Sequence, residues 1–333
     1  MKAIFLNNNP KTIESVYPKA LREQLAAEAG LDPSVRTRQD TLDSPEAFAG
    51  TEFIFSTWGM PAYTEEEIKA VFPSLRAVFY AAGSVQGFAR PFIRCGAAVF
   101  SAWAANAVPV AEFTAAQIVL SCKGFWASSR YASRGDFSTG RSLFAGYPGC
   151  FGQKIGIIGA GMVGSLVIER LKSYRLEVLV FDPFLPDGKA AEMNVRKCSL
   201  RELFSECIVV SNHLANNSET RGMLDYDLFR RMPPSSTFIN TGRGAQVVEA
   251  DLVRILTERK DITALLDVTD PEPPLKDSPF FALENCILSP HIAGSSGKEV
   301  ERMAEYMVKE YQSFIKGDPV KYRVTEQMLK TMA

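Results

Sequence analysis

The stretch IGIIGAGMVGSLVIERL, beginning at Ile155, most constrains what this chain can fold into. An apolar, β-branched run stops at a cluster of glycines, and a helical pattern starts at once. Gly159, Gly161 and Gly164 stand in GxGxxG spacing, with Met162 and Val163 between the last two. Between a strand and a helix, such glycines let the backbone turn tightly and approach a pyrophosphate. The helix N-terminus then offers free N–H groups and a favourable dipole. The next apolar run, LEVLVFD, ends at Asp182. A carboxylate there accepts hydrogen bonds from an adenosine ribose and repels a 2′-phosphate. Pro183 and Phe184 follow, with no Arg or Lys beside them. The expected cofactor is therefore NAD rather than NADP.

The motif begins at residue 159 of 333, so a separate unit must precede it. Strand-like runs alternate with helical patterns on both sides. KAIFLN, EFIFST, LRAVFYA and AAVFSAWA read as strands in the first part. KIGIIGA, LEVLVFD, CIVVSNHL, STFINT, ITALLDV and CILSPHI do so in the second. Helices are expected over 14–29, in TEEEIKAVF with a Thr64–Glu67 capping box, and as one long apolar helix over 109–130 with Pro109 in its first turn. The Gly-, Ser- and aromatic-rich stretch RGDFSTGRSLFAGYPGCFGQ reads as a surface loop, and Ser296–Ile315 as an amphipathic helix. This alternation argues for an α/β fold with parallel sheets.

Composition excludes several classes. With a net charge of −1 and a pI near 6.2, nothing argues for nucleic acid or an anionic membrane as partner. The apolar run Ala3–Leu6 is too short for a signal-peptide core, and Asn106 and Pro109 interrupt the uncharged stretch Cys95–Ala111. Six cysteines without a CxxC pair, and only two histidines, give no zinc-site spacing and no expected metal. They fit a reducing, cytoplasmic setting.

Three polar signals follow strands in the second part. FINTGRGA carries Arg243, LLDVTDPEPP carries Glu272, and LSPHIAG carries His291. Ligands of open parallel sheets bind beyond the carboxyl ends of strands, where all three fall. A guanidinium grips a carboxylate through two parallel hydrogen bonds. An imidazole exchanges a proton with a carbonyl or alcohol oxygen, and a neighbouring carboxylate fixes its tautomer. His213, in VVSNHL, has no acid at a telling distance and reads as structural or cofactor-lining.

Taken with SNHLANNSETRGML and FINTGRGAQVVEADL, these motifs resemble the D-isomer-specific 2-hydroxyacid dehydrogenase family over essentially the whole chain. The resemblance implies two Rossmann-like or flavodoxin-like domains with the active site in the cleft between them. Residues 1–105 and 297–333 would form the substrate-binding domain and 106–296 the NAD-binding domain. It implies Arg243 as substrate anchor and electrostatic catalyst, Glu272 as acid partner, and His291 as proton donor and acceptor. Thr241 and Asp267 join the cofactor set, with Asp267 against the nicotinamide carboxamide. A homodimer formed through the 106–130 helix region is also implied, for which Asn106 and Glu112 match the family pattern. In the loop FYAAGSVQGF, the backbone N–H groups of Gly83 and Ser84 would bind the substrate carboxylate, with Trp58 of STWGMP near the pocket.

The chain departs from the pattern at three places. Val85 stands where the family places an acid, Phe113 where a histidine is frequent, and Ala215 where a proline is usual. Pro290 replaces the glutamine of formate dehydrogenases. The expected function is hydride transfer between NAD(H) and a small 2-keto or 2-hydroxy acid. The alternatives are an NAD(H)-responsive corepressor-like protein on the same scaffold, and a dehydrogenase for a phosphorylated acid such as 3-phosphoglycerate. Arg76, Arg90 and Arg94 are the cations on which the latter would depend.

Overall fold

A computed structural model describes residues 2–330; residues 331–333 of the expected last segment lie outside the described residues. The chain divides into two compact units, one running up to Asn106 and again from Ser295 onward, the other Ala107–Gly294.

In the first unit, β1 to β5 are Ala3–Leu6, Leu31–Arg36, Phe53–Ser56, Ala77–Tyr80 and Ala98–Ser101. They lie parallel in the order β5-β4-β3-β1-β2, and Arg323–Val324 adds an antiparallel edge beside β5. This is the flavodoxin-like order, with its reversal between β1 and β3. All but β2 are buried along their length. Alternate residues feed two cores. Phe5, Phe53, Phe55, Phe79 and Phe100 pack on one face, and Ile4, Ile54, Val78 and Val99 on the other. The helix Glu299–Lys316 covers the aromatic face. Tyr311 meets Phe53, Phe55 and Phe79 edge-on at centroid distances of 5.2, 5.4 and 5.6 Å.

In the second unit, β6 to β12 are Lys154–Ile158, Glu177–Phe181, Arg196–Lys197, Val209–Asn212, Thr237–Asn240, Thr263–Leu266 and Cys286–Leu288. All seven are parallel, in the order β12-β11-β10-β9-β6-β7-β8. The order reverses between β6 and β9, which is the doubly wound pattern that opens a ligand crevice at that point.

Several elements differ from expectation. The 14–29 helix is two helices, Pro10–Val16 and Lys19–Ala29, because Pro18 cannot continue the first. The strand CILSPHI ends at Leu288. The 109–130 helix instead starts at Trp103 and ends at Cys122, with Pro109 inside it. The alanines of AWAANA are strong helix formers and extend it backwards. Gly124, at φ +63°, then breaks the helix, and a Cβ there would strike the Tyr147 ring. A separate helix, Phe125–Ala132, follows. Trp103–Cys122 has the length and hydropathy of a membrane span, 20 residues at 1.2, while its Ile118 and Cys122 are buried in the second unit's core. Within the expected 134–153 loop, Phe137–Phe144 is helical, capped by the Asp136 carboxylate accepting from Thr139 N at 3.0 Å. Its Gly140 lies against the Ser128 carbonyl. The expected Thr64–Glu67 capping box is present.

Val85 explains one departure from the family pattern. It is fully buried in the first unit's second core, so the loop that begins at Gly83 is pinned by a side chain rather than by a charge. Ser101 Oγ secures the same loop, lying 2.6 Å from the Gly83 carbonyl oxygen, to which it donates, and 2.9 Å from that of Ala82. Val85→Asp is expected to destabilise the protein by about 3–5 kcal/mol, the scale for an unpaired charge placed in a core. A urea unfolding curve compared with wild type checks this.

Candidate functional site

The glycine turn after β6 has the contacts that its spacing requires. A Cβ at Gly164 would lie 2.0 Å from the Gly159 carbonyl oxygen, so only glycine lets the helix Met162–Leu171 start this close to the strand. A Cβ at Gly161 would meet nothing within 4 Å. That side of the turn is open to an approaching group. Asp182, just past β7, accepts from Ala160 N and Phe184 N, both at 2.8 Å. One carboxylate thus ties the two strand ends together, with acceptor capacity left for a ribose hydroxyl. The residues present fit a dinucleotide.

Across the switch point, β9 ends in His213. Its Nε2 is 2.9 Å from Ser211 Oγ and its Nδ1 3.3 Å from Thr241 Oγ1, which in turn meets Thr114 Oγ1 at 3.3 Å. Burial pushes the imidazole pKa down to about 3, so the ring is neutral, with one nitrogen donating and the other accepting. His213 is a polar strut beneath Thr241 and forms no ion pair among the described residues.

Arg243 follows β10 on a turn held by buried amides that the motif reading passed over. Asn212 Nδ2 donates to Asn240 Oδ1 and Gln246 Oε1 at 3.0 and 2.6 Å. Gln246 Nε2 donates to the Leu214 and Ala215 carbonyls at 2.7 and 3.0 Å. Gln246 Oε1 also accepts from Arg243 N, and Asn240 Nδ2 donates to the Arg243 carbonyl. A polar residue closing each apolar run, in VVSN and FIN, was the available signal. The Ala215 carbonyl, where a proline is usual, accepts from Gln246 and from Thr220 Oγ1. Gly244 packs so tightly that a Cβ would come within 2.0 Å of the Thr269 backbone. Burial lowers the Arg243 pKa, and the Glu272 charge opposes that shift.

Glu272 stands on the turn after β11, between cis Asp270–Pro271 and cis Glu272–Pro273. Asp270 N donates to Glu249 Oε1 at 2.9 Å, and Asp270 pairs with Arg221 at 3.1 Å. Glu272 Oε1 lies 2.5 Å from His291 Nδ1, and both side chains are partly exposed. Asp267, buried at the end of β11, accepts from Ser289 Oγ, Ile292 N and Ala293 N at 2.6, 2.9 and 2.9 Å. Guanidinium, carboxylate and imidazole thus converge at neighbouring strand ends, an arrangement able to bind a carboxylate and exchange a proton.

Trp58, Gly83 and Ser84 stand on the first unit, past the carboxyl ends of β3 and β4. The Trp58 ring is partly exposed, while its carbonyl accepts from Asn7 Nδ2 at 3.0 Å and Thr12 Oγ1 at 2.9 Å. Asn106 Nδ2 faces Gly83, and Asn106 Oδ1 accepts from Ser295 N at 3.0 Å.

Residues 116–293 match the family model for the NAD-binding domain of D-isomer specific 2-hydroxyacid dehydrogenases. The chain belongs to that family. This family member is 29% identical over 222 residues to a glyoxylate reductase of Korarchaeum cryptofilum, covering 66% of this chain and 67% of the relative. It is 29% identical over 229 residues to a D-3-phosphoglycerate dehydrogenase of Archaeoglobus fulgidus, covering 69% of this chain but only 43% of that relative. Its fold matches D-mandelate dehydrogenase of Rhodotorula graminis at a TM-score of 0.84 and 17% identity, over 98% of both chains. A phosphoglycerate oxidoreductase of Rhizobium etli matches at 0.81 and 20%, over 98% of this chain and 99% of the other.

The neutral His213 leaves a signature in solution. Unfolding frees a histidine that titrates near 6.5, whereas the folded one binds its proton only near pH 3. Stability is therefore retained above pH 6.5 and lost as pH falls below it, by roughly 2 kcal/mol between pH 7 and pH 5. Denaturant unfolding of wild type and His213→Gln at the two pH values should show this component only in the wild type.

Proposed function

We propose that this chain reduces a small, unphosphorylated 2-keto acid with NADH, or oxidises the corresponding 2-hydroxy acid in reverse. The observation that carries the reading is the pairing of His291 with Glu272 beside Arg243, on the domain that the family uses to bind NAD. NADH supplies the hydride. Arg243 grips the substrate carboxylate in a bidentate pair and stabilises negative charge on the keto oxygen. His291 donates its Nε2 proton to that oxygen, while Glu272, on Nδ1, holds the tautomer and stabilises the imidazolium before donation. Asp182 selects NAD over NADP by accepting from the ribose. On the first unit, the N–H groups of Gly83 and Ser84 are further donors to the substrate carboxylate, and Trp58 limits the shape of the substrate side chain.

Of the three arginines that a phosphorylated substrate would call on, two already have acidic partners. Arg76 pairs with Glu52 at 3.1 Å and lies over the Phe53 ring, and Arg94 pairs with Glu326 and Glu65 at 3.0 and 3.6 Å. Both are engaged in these pairs, which supports an unphosphorylated substrate.

A cytoplasmic location is part of the proposal, supported by six free cysteines. So is a homodimer. Around the helices Phe125–Ala132 and Phe137–Phe144, the side chains of Phe125, Phe137, Leu143, Phe144 and Phe151 are exposed, Phe137 and Phe151 by 73% and 72%. Exposed apolar side chains in such number, beside the 106–130 region through which the family resemblance places a dimer, support a surface that association covers. Phe137→Asp should shift sedimentation toward the monomer, and an unchanged coefficient would count against this face.

The activity is tested by NADH oxidation at 340 nm against glyoxylate, hydroxypyruvate, pyruvate, oxaloacetate, phenylpyruvate, branched-chain keto acids and 3-phosphohydroxypyruvate. Turnover is expected on an unphosphorylated member. His291→Ala should lower kcat by about 10²–10⁴-fold, the usual share of general acid catalysis. Arg243→Ala should raise KM as well as lower kcat. NADH binding without turnover on any acid would instead favour the cofactor-sensing reading.

A further inference from the structure

His291 has a backbone conformation that its residue type seldom adopts. Its φ is +54°, in the left-handed region, shared among described non-glycine residues only by Asn194 and Ser235. Such conformations persist where the surroundings impose them. The loop Ser289–Ala293 has few contacts of its own to do so. The His291 N–H donates to the Ser289 carbonyl at 3.0 Å, closing a tight turn over Pro290. His291 and Ile292 are exposed.

The remaining constraint comes from below. Asp267 is 3% exposed, and its carboxylate meets the loop on both sides of the histidine. Oδ1 accepts from Ser289 Oγ and from Ile292 N; Oδ2 accepts from Ala293 N. Directly after the left-handed His291, the N–H groups of Ile292 and Ala293 both reach this one carboxylate. The left-handed turn and the capture of the carboxylate thus share one five-residue loop, Ser289–Ala293. That loop carries the imidazole, whose direction places Nδ1 on Glu272 Oε1.

We propose that Asp267 is a positioning residue for His291: by accepting from Ser289, Ile292 and Ala293 it fixes the backbone turn that holds the imidazole against Glu272. The proposal rests on the reading of His291 as proton donor. It leaves room for a cofactor contact as well, because a carboxylate has about four acceptor positions and the loop takes three. An amide at this position would present an NH₂ group to at least one of the loop's donors, whichever way it turned.

The test uses Asp267→Asn and Ser289→Ala, each alone and combined with His291→Ala. The chain has only two histidines, so the proton of the short Nδ1–H···Oε1 bond can be assigned directly by NMR of ¹⁵N-labelled protein. Asp267→Asn should abolish that downfield resonance and lower kcat about a hundredfold, the scale of a misplacement near 1 Å. Ser289→Ala should weaken the resonance and cost about tenfold, since one of three bonds is lost. Asp267→Asn combined with His291→Ala should be no slower than His291→Ala alone. Additive losses, or an intact resonance in Asp267→Asn with the loss confined to NADH affinity, would overturn the proposal. If Asp267→Asn does not fold, Ser289→Ala decides by the same resonance. A wild type without turnover would defeat the proposed reaction, while the resonance would still decide the role of Asp267.

Discussion

The inner strands of the second sheet are buried on both faces, since Ile155–Ile158, Val209–Asn212, Thr237–Asn240 and Thr263–Leu266 have no solvent-facing side. No side chain from within such a strand can reach a ligand. Parallel pairing also sends every strand the same way, so the groups that follow each strand gather at one edge. The glycine turn, His213, Arg243, Asp267 and His291 all stand there. The site is a consequence of how parallel strands must be buried.

Gathering alone does not orient. The site's groups are aimed by a second layer of buried and half-buried polar residues, each with partners supplied. The Asn212–Asn240–Gln246 amides bind the Arg243 turn to the end of β9. Glu249 holds the turn that carries Glu272, and Asp267 holds the loop that carries His291. Buried polar groups of this kind are costly when unpaired, so a fully paired set defines its geometry sharply. Asp182 works in the same way at the glycine turn, with one oxygen on each strand end.

Where the local pattern was strong, the sequence could be read directly. Continuous apolar runs marked buried parallel strands, the glycine spacing marked the nucleotide turn, and Thr64 with Glu67 marked a helix start. The reading failed where tertiary contacts set the boundary. Gly124 sits in an apolar run that looks helical throughout, but its left-handed φ ends the helix, and the Tyr147 ring packed against it leaves no room for a side chain. The 134–153 stretch looked like a loop because it is rich in glycine and serine. One of those glycines, Gly140, lets Phe137–Phe144 pack against the helix Phe125–Ala132, since a Cβ there would strike the Ser128 carbonyl.

Residue order by itself determined the fold class, the two-part organisation, the nucleotide turn and the residue types at the strand ends. These depend on periodicity and on short-range backbone rules, both of which a linear chain displays. Tertiary structure alone decided which way those residues point. Nothing in LSPHIAG indicates that His291 is left-handed, and the carboxylate that its loop holds lies 24 residues earlier, at Asp267. Nor does SNHL show that His213 is neutral, because that follows from burial between Ser211 and Thr241. Spacing fixes where a side chain begins, but its direction and protonation depend on neighbours that only folding brings within hydrogen-bonding distance.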